Sequence, residues 1–170
     1  ASGIRDTLTR WGVVEQYRQL TRAILKTCPN CILVIVYFPR ITMVPYIWGL
    51  PPSSTIRTLF VQFSSMFFDA AIEFGLPVID LSRTFDPYDD GDYGTTPIEP
   101  SNRSSQYIAD LVMHVIKDFP FGQGQSRVYS GKAESIVWED AKGLAGDGYQ
   151  AGLDRHLAAC KHQHPSCGIL

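Results

Sequence analysis

The chain has 170 residues, 45% of them apolar, with 15 basic against 17 acidic side chains and a net charge of -2. That length and apolar share suit one domain with a real core. The near-balanced charge, without a Lys/Arg stripe, does not favour nucleic acid or an anionic membrane surface as a partner. No apolar run approaches the roughly 18 residues that a membrane span requires, so no transmembrane segment is expected. The N-terminal ASGIRDTLTRW has neither an initiating Met nor a signal-peptide pattern, which predicts a processed, truncated or partial chain. Four cysteines leave the redox compartment undecided.

From Val13 to Thr27 the apolar positions Tyr17, Leu20, Ala23, Ile24 and Leu25 share one broad face, which predicts a helix stopped by Pro29 and Asn30. Cys31 to Tyr37 is a continuous apolar run rich in β-branched residues, the pattern of a strand covered on both faces. After a Pro- and aromatic-rich loop over residues 40–52, Ser53 or Ser54 caps a long helix to about Phe74. Its stripe of Leu59, Phe60, Phe63, Met66, Phe67, Ala70, Ala71 and Phe74 reads as core packing rather than a lipid pocket.

Gly75 ends that helix, and Pro77 to Leu81 predicts a second strand. Residues 82–100 read as a polar loop. Ser101 then caps a third amphipathic helix to about Phe119, burying Tyr107, Ile108, Leu111, Val112, Val115 and Ile116. Helix, strand, helix, strand, helix is the alternation of a parallel sheet with helices on both faces. Two strands are too few for a stable sheet, so something else must complete it. The last fifty residues are richer in glycine and lose their apolar periodicity. They read as an extension packed over a surface, with a short helix around Leu153 to Cys160.

The stretch YRQLTRAILKTCPNCILVIVYFPR, the strand-like FGLPVIDLSRTF and the helix IADLVMHVIKDF resemble, in order, the later part of an SGNH (GDSL) ester hydrolase. The resemblance covers about residues 3–119 and lies in the order of elements more than in any one motif. It implies an α/β, three-layer parallel-sheet SGNH-hydrolase-like (flavodoxin-like) fold whose N-terminal strands are missing from this chain. The domain reading is residues 1–119 as the partial SGNH-hydrolase-like domain and 120–170 as the Gly-rich C-terminal extension.

The family's third block is usually G-x-N-D, whose Asn helps form the oxyanion hole. Here it reads Gly3-Ile4-Arg5-Asp6, with Arg5 in place of that Asn and Gly3 and Asp6 as binding positions. The family's D-x-x-H block supplies acid and base just before the last helix. Here Glu99-Pro100-Ser101-Asn102 puts Glu99 at the acid position and Asn102 at the base position. The blocks with the nucleophilic Ser and the second-block Gly would lie before Ala1.

A carboxylate at 99 can still orient a base, and an arginine at 5 can still donate to an oxyanion. Asn102 cannot be the base, because an amide nitrogen has no sufficiently basic lone pair at neutral pH. His114 is twelve residues further along the helix, roughly 18 Å away at 1.5 Å per residue. His156, His162 and His164 belong to the tail.

Other constellations have simpler readings. Cys28-Pro-Asn-Cys31 closes a helix rather than opening one, the reverse of a thioredoxin-like setting, and reads as two structural thiols. His156, Cys160, His162, His164 and Cys167 are dense in ligand types without a defensible zinc spacing, so no metal site is assigned. Asp86, Asp89, Asp90 and Asp92 lack the order of a calcium loop and read as a solvated loop. Asn102-Arg103-Ser104 is a formal glycosylation sequon whose place at a helix start favours capping.

The sequence therefore predicts a catalytically degenerate SGNH-hydrolase-like domain. It would need no cofactor and would serve as a structural or scaffolding part of a larger assembly, its sheet completed by an upstream segment or another polypeptide. Two alternatives stand beside it. One is an active ester or acyl hydrolase with its Ser upstream and a base from the tail. The other is a carbohydrate- or lipid-binding module using Tyr46, Trp48 and Tyr93.

Overall fold

Helices dominate the computed structural model, which describes residues 4–31, 34–36, 53–96, 98–144 and 147–163. In chain order the elements are α1 (Ile4–Arg10), α2 (Val13–Thr27), β1 (Val34–Val36), α3 (Ser53–Phe74), β2 (Val78–Asp80), α4 (Asn102–Asp118), β3 (Arg127–Ser130), β4 (Val137–Asp140) and α5 (Asp147–Gln163). The sheet order is β1-β2-β3-β4, with β1 and β3 parallel to β2 and β4 antiparallel to β3. The architecture is mixed α/β around a small mixed sheet.

Alternation along the strands divides the core in two. Val78 and Val128 point to one face, where they meet Phe68 and Ala71 of α3, Ala141 and Leu144, and Tyr149, Leu153 and Leu157 of α5. Ile79 and Tyr129 point to the other face, where they meet Leu111 and Val115 of α4 with Leu81, Phe85, Tyr93 and Phe119. Both β1–α3–β2 and β2–α4–β3 step the same way across the sheet, yet α3 and α4 cover opposite faces. The two parallel connections therefore have opposite hands, and one departs from the usual right-handed rule.

The tail from residue 120, expected as a surface extension, supplies two of the four described strands and a helix that enters the core. β3 and β4 are too short and too polar for periodicity to have marked them: RVYS and VWED carry only four residues each. The anticipated helix near Leu153 extends over Asp147–Gln163.

Helices α2, α3 and α4 take their expected spans, with differences in which face is buried. In α3, Phe68 is buried although it lies off the expected stripe, while Leu59 and Phe63 are exposed. In α4, Leu111 and Val115 are buried but Ile116 is 59% exposed. In α2, Thr21 is buried and Leu20 is 58% exposed. A helix presents more apolar positions than one neighbour can cover, so the neighbour's position decides which are buried.

α3 ends at Gly75, which adopts φ 63° and packs so closely on Gly124 that a Cβ would sit 2.7 Å from its Cα. Only glycine meets both demands. Cys28 and Cys31, expected as separate thiols, are joined in a disulfide with their Cα atoms 5.3 Å apart. The turn closed by the Cys31 amide on the Cys28 carbonyl holds them together.

Candidate functional site

The carboxyl end of β2 is where an open α/β sheet presents its loops, and here buried polar side chains cross-link several segments. Asp80, the last residue of β2, caps the 3-10 turn Leu81–Arg83. Its Oδ1 accepts from the Ser82 amide at 3.0 Å and the Ser82 hydroxyl at 2.5 Å, and its Oδ2 accepts from Arg83 Nε at 2.6 Å. Because the Ser82 proton is committed to Asp80, the Tyr149 hydroxyl, 2.7 Å away, donates to Ser82 Oγ. Arg83 reaches on to Glu139 of β4. Burial, with the Asp80 carboxylate nearby, pushes the Tyr149 phenol well above its ordinary value.

Asp92 is the second node. Its Oδ2 accepts from the Asp86 amide at 2.8 Å and Lys132 Nζ at 2.7 Å, and its Oδ1 from Arg103 Nη2 at 2.8 Å. Its carbonyl accepts from the Ser104 hydroxyl at 2.6 Å. Asp86 and Asp92 are buried, a correction to the reading of this segment as a solvated acidic loop. Backbone amides and the two cations satisfy carboxylates that would otherwise remain in water. Asp89 stays nearer the surface. Burial alone would push its carboxyl up, but hydrogen bonds from the Gly91 amide and Arg103, with the charges of Arg103 and Lys132, hold it below 3.8.

This scaffold carries the expected catalytic positions. Glu99 is exposed, its carbonyl accepting from the Gly94 amide at 2.7 Å and its carboxylate meeting the Thr95 hydroxyl at 3.5 Å. Asn102 is the exposed first residue of α4, and Ser101 rather than Asn102 is the N-cap, its Oγ accepting from the Ser104 amide. Arg5 and the exposed Asp6 fall in α1. That helix packs on α2 and α3, which serve the opposite side of the sheet from α4. Gly3, Tyr46, Trp48, His164 and Cys167 lie outside the described residues. Tyr93 is buried, edge-on to Phe85.

The histidines have other partners. His114 stacks edge-on with Tyr129 and lines an open groove of about 370 Å³ between α4 and residues 133–136. His162 is exposed at the end of α5. His156 comes back to the loop after β2, its Nε2 2.9 Å from the Phe85 carbonyl and 3.5 Å from Cys160 Sγ. A carbonyl only accepts, so Nε2 carries the proton and is not a base there. Burial, then the Asp86 charge, pushes the Cys160 thiol up to about 12, the opposite of an activated nucleophile. Among the described residues no group of three or more His, Cys, Asp or Glu is placed to hold a metal ion, and no helix is long and apolar enough to cross a membrane.

Comparison with protein-family models, curated proteins and solved structures finds no match. The residues on which the site rests, Asp80, Arg83, Asp92, Arg103, Lys132 and Tyr149, were not anticipated. An Asp at the end of a buried strand with Ser two residues on is a recognisable turn-capping pattern. The partners of Asp92 at 103 and 132 had no sequence signal.

Proposed function

We propose that this chain is a catalytically degenerate SGNH-hydrolase-like domain with a scaffolding role. The observation that carries the reading is the state of the base. Asn102 stands exposed at the first position of α4, and His156, the described tail histidine that reaches the loop after β2, donates its Nε2 proton to the Phe85 carbonyl. Glu99 is left with no described histidine to orient. The buried polar groups of the loop serve one another instead. Both oxygens of Asp80 and of Asp92 are engaged, so this is a framework rather than a poised acid–base pair.

Among the described residues β1 has a neighbour only on its β2 side. A further strand beside it, from another segment or another polypeptide, fits the scaffolding role and relieves an open edge.

The test is hydrolysis of short-chain p-nitrophenyl esters by the full chain. The expected result is no turnover above buffer. Turnover abolished by a serine-directed phosphonate and by His156→Ala would overturn the reading in favour of an active ester hydrolase.

A further inference from the structure

We propose that Asn102 is an acceptor for an N-linked glycan, independently of the hydrolase-like reading. Asn102-Arg103-Ser104 has the required Asn-x-Ser order with a residue other than proline in the middle. A sequon alone is weak evidence, and two features of the fold strengthen this one.

The first is geometry. An Asn at a helix N-cap turns its side chain back onto the first-turn amides. Here Ser101 holds that role, with the Ser104 amide 3.1 Å from its Oγ, so the Asn102 side chain is released to solvent. Ile98, Glu99, Arg103, Ser105 and Gln106 around it are all exposed, which leaves room for a bulky hydrophilic group. The second is compartment. A Cys28–Cys31 disulfide fits an oxidising environment, the kind in which N-glycans are added.

The fold also sets the order of events. The sequon hydroxyl that the transferase must recognise, Ser104 Oγ, is fully buried and donates to the Asp92 carbonyl. A transferase cannot reach it once α4 has docked on the loop after β2, so transfer precedes that docking. In the step, Asn102 Nδ2 bonds to the anomeric carbon of a lipid-linked oligosaccharyl diphosphate. The bond from that carbon to the diphosphate oxygen breaks, the amide loses one proton to the transferase, and the lipid diphosphate leaves. No oxidant or reductant is needed.

The experiment routes the full chain through a eukaryotic secretory pathway behind a cleavable signal and maps peptides from the whole cell lysate and medium. The expected result is a glycan on the peptide containing Asn102, removed by peptide-N-glycosidase with conversion of that asparagine to aspartate. It should be lost in N102Q and in S104A and retained in S104T. Misfolding of a variant does not confound the result, since the acceptor is the unfolded chain. In vitro, a purified transferase should modify the reduced, unfolded chain and leave the refolded chain unmodified. An unmodified Asn102 in the wild type, or a glycan that persists in N102Q, would overturn the proposal.

Discussion

Lys132 Nζ lies 2.7 Å from Asp92 Oδ2 across forty residues of sequence, tying the turn before β4 to the loop before α4. Asp92 is fully buried, whereas Lys132 and Arg103 keep part of their side chains in water. The two ends of the interaction therefore differ in consequence. Removing a cation leaves a carboxylate with one remaining ion pair and an amide donor. Removing the carboxylate takes away at once the bonds from the Asp86 amide, Arg103 and Lys132 and frees the loop.

Asp92→Ala should accordingly cost about 3 kcal/mol of stability, and Lys132→Ala about 1 kcal/mol or less. Urea denaturation monitored by tryptophan fluorescence checks the ranking. Equal losses would show that Asp92 is not the node.

Ser82 and Tyr149 offer a similar asymmetry. Tyr149→Phe leaves the Ser82 hydroxyl still donating to Asp80 and should cost about 1 kcal/mol. Ser82→Ala removes two bonds at once, the one its hydroxyl gives to Asp80 and the one it accepts from Tyr149, so it should cost about twice that, roughly 2 kcal/mol. Thermal unfolding of both variants is the measurement.

Much of the fold was legible because it rests on local signals. Ser101 caps α4 as its sequence position suggests, and the strand expected over Pro77 to Leu81 forms as the buried Val78–Asp80. What escaped depends on distant partners. Tyr129 reads as a lone aromatic in RVYS, yet it is fully buried because α4 covers that face of β3. Asp92 sits in a segment as polar as any exposed loop, and only the arrival of Arg103 and Lys132 makes its burial tolerable. Of the candidate catalytic positions, Glu99 and Asn102 come together on one loop-to-helix junction because they are neighbours in sequence. Arg5 belongs to a helix on the other side of the sheet from α4.

Titration separates the two ends of the pH scale. Asp89, held below 3.8, contributes stability that is present above that value and is lost as pH falls through its depressed folded value. Tyr129 is pushed up to about 12, first by burial and then by its bond to Asp118, against an ordinary value of 10.0. Its contribution is complete below pH 10 and is lost as pH rises toward 12. Urea midpoints should therefore fall in both directions. Ultraviolet absorbance of phenolate should show a contribution near 12 in the folded chain that is smaller by one phenol in Tyr129→Phe.

Cys28 and Cys31 close a ring of only three residues' separation, so the disulfide restrains little unfolded chain. On the loop-entropy relation the pair contributes about 2 kcal/mol at most, and the double variant Cys28→Ser with Cys31→Ser should fold with a stability loss of that size or smaller. Free-thiol counting gives a sharper test than stability alone. In a Cys167→Ser background, the native oxidised chain should resist alkylation, because Cys160 is buried with its thiol pushed up to about 12. Unfolding without reductant should expose one reactive thiol and unfolding with reductant three. Three thiols without reductant would mean that Cys28 and Cys31 are not bonded, and the compartment argument for glycan addition at Asn102 would lose its support.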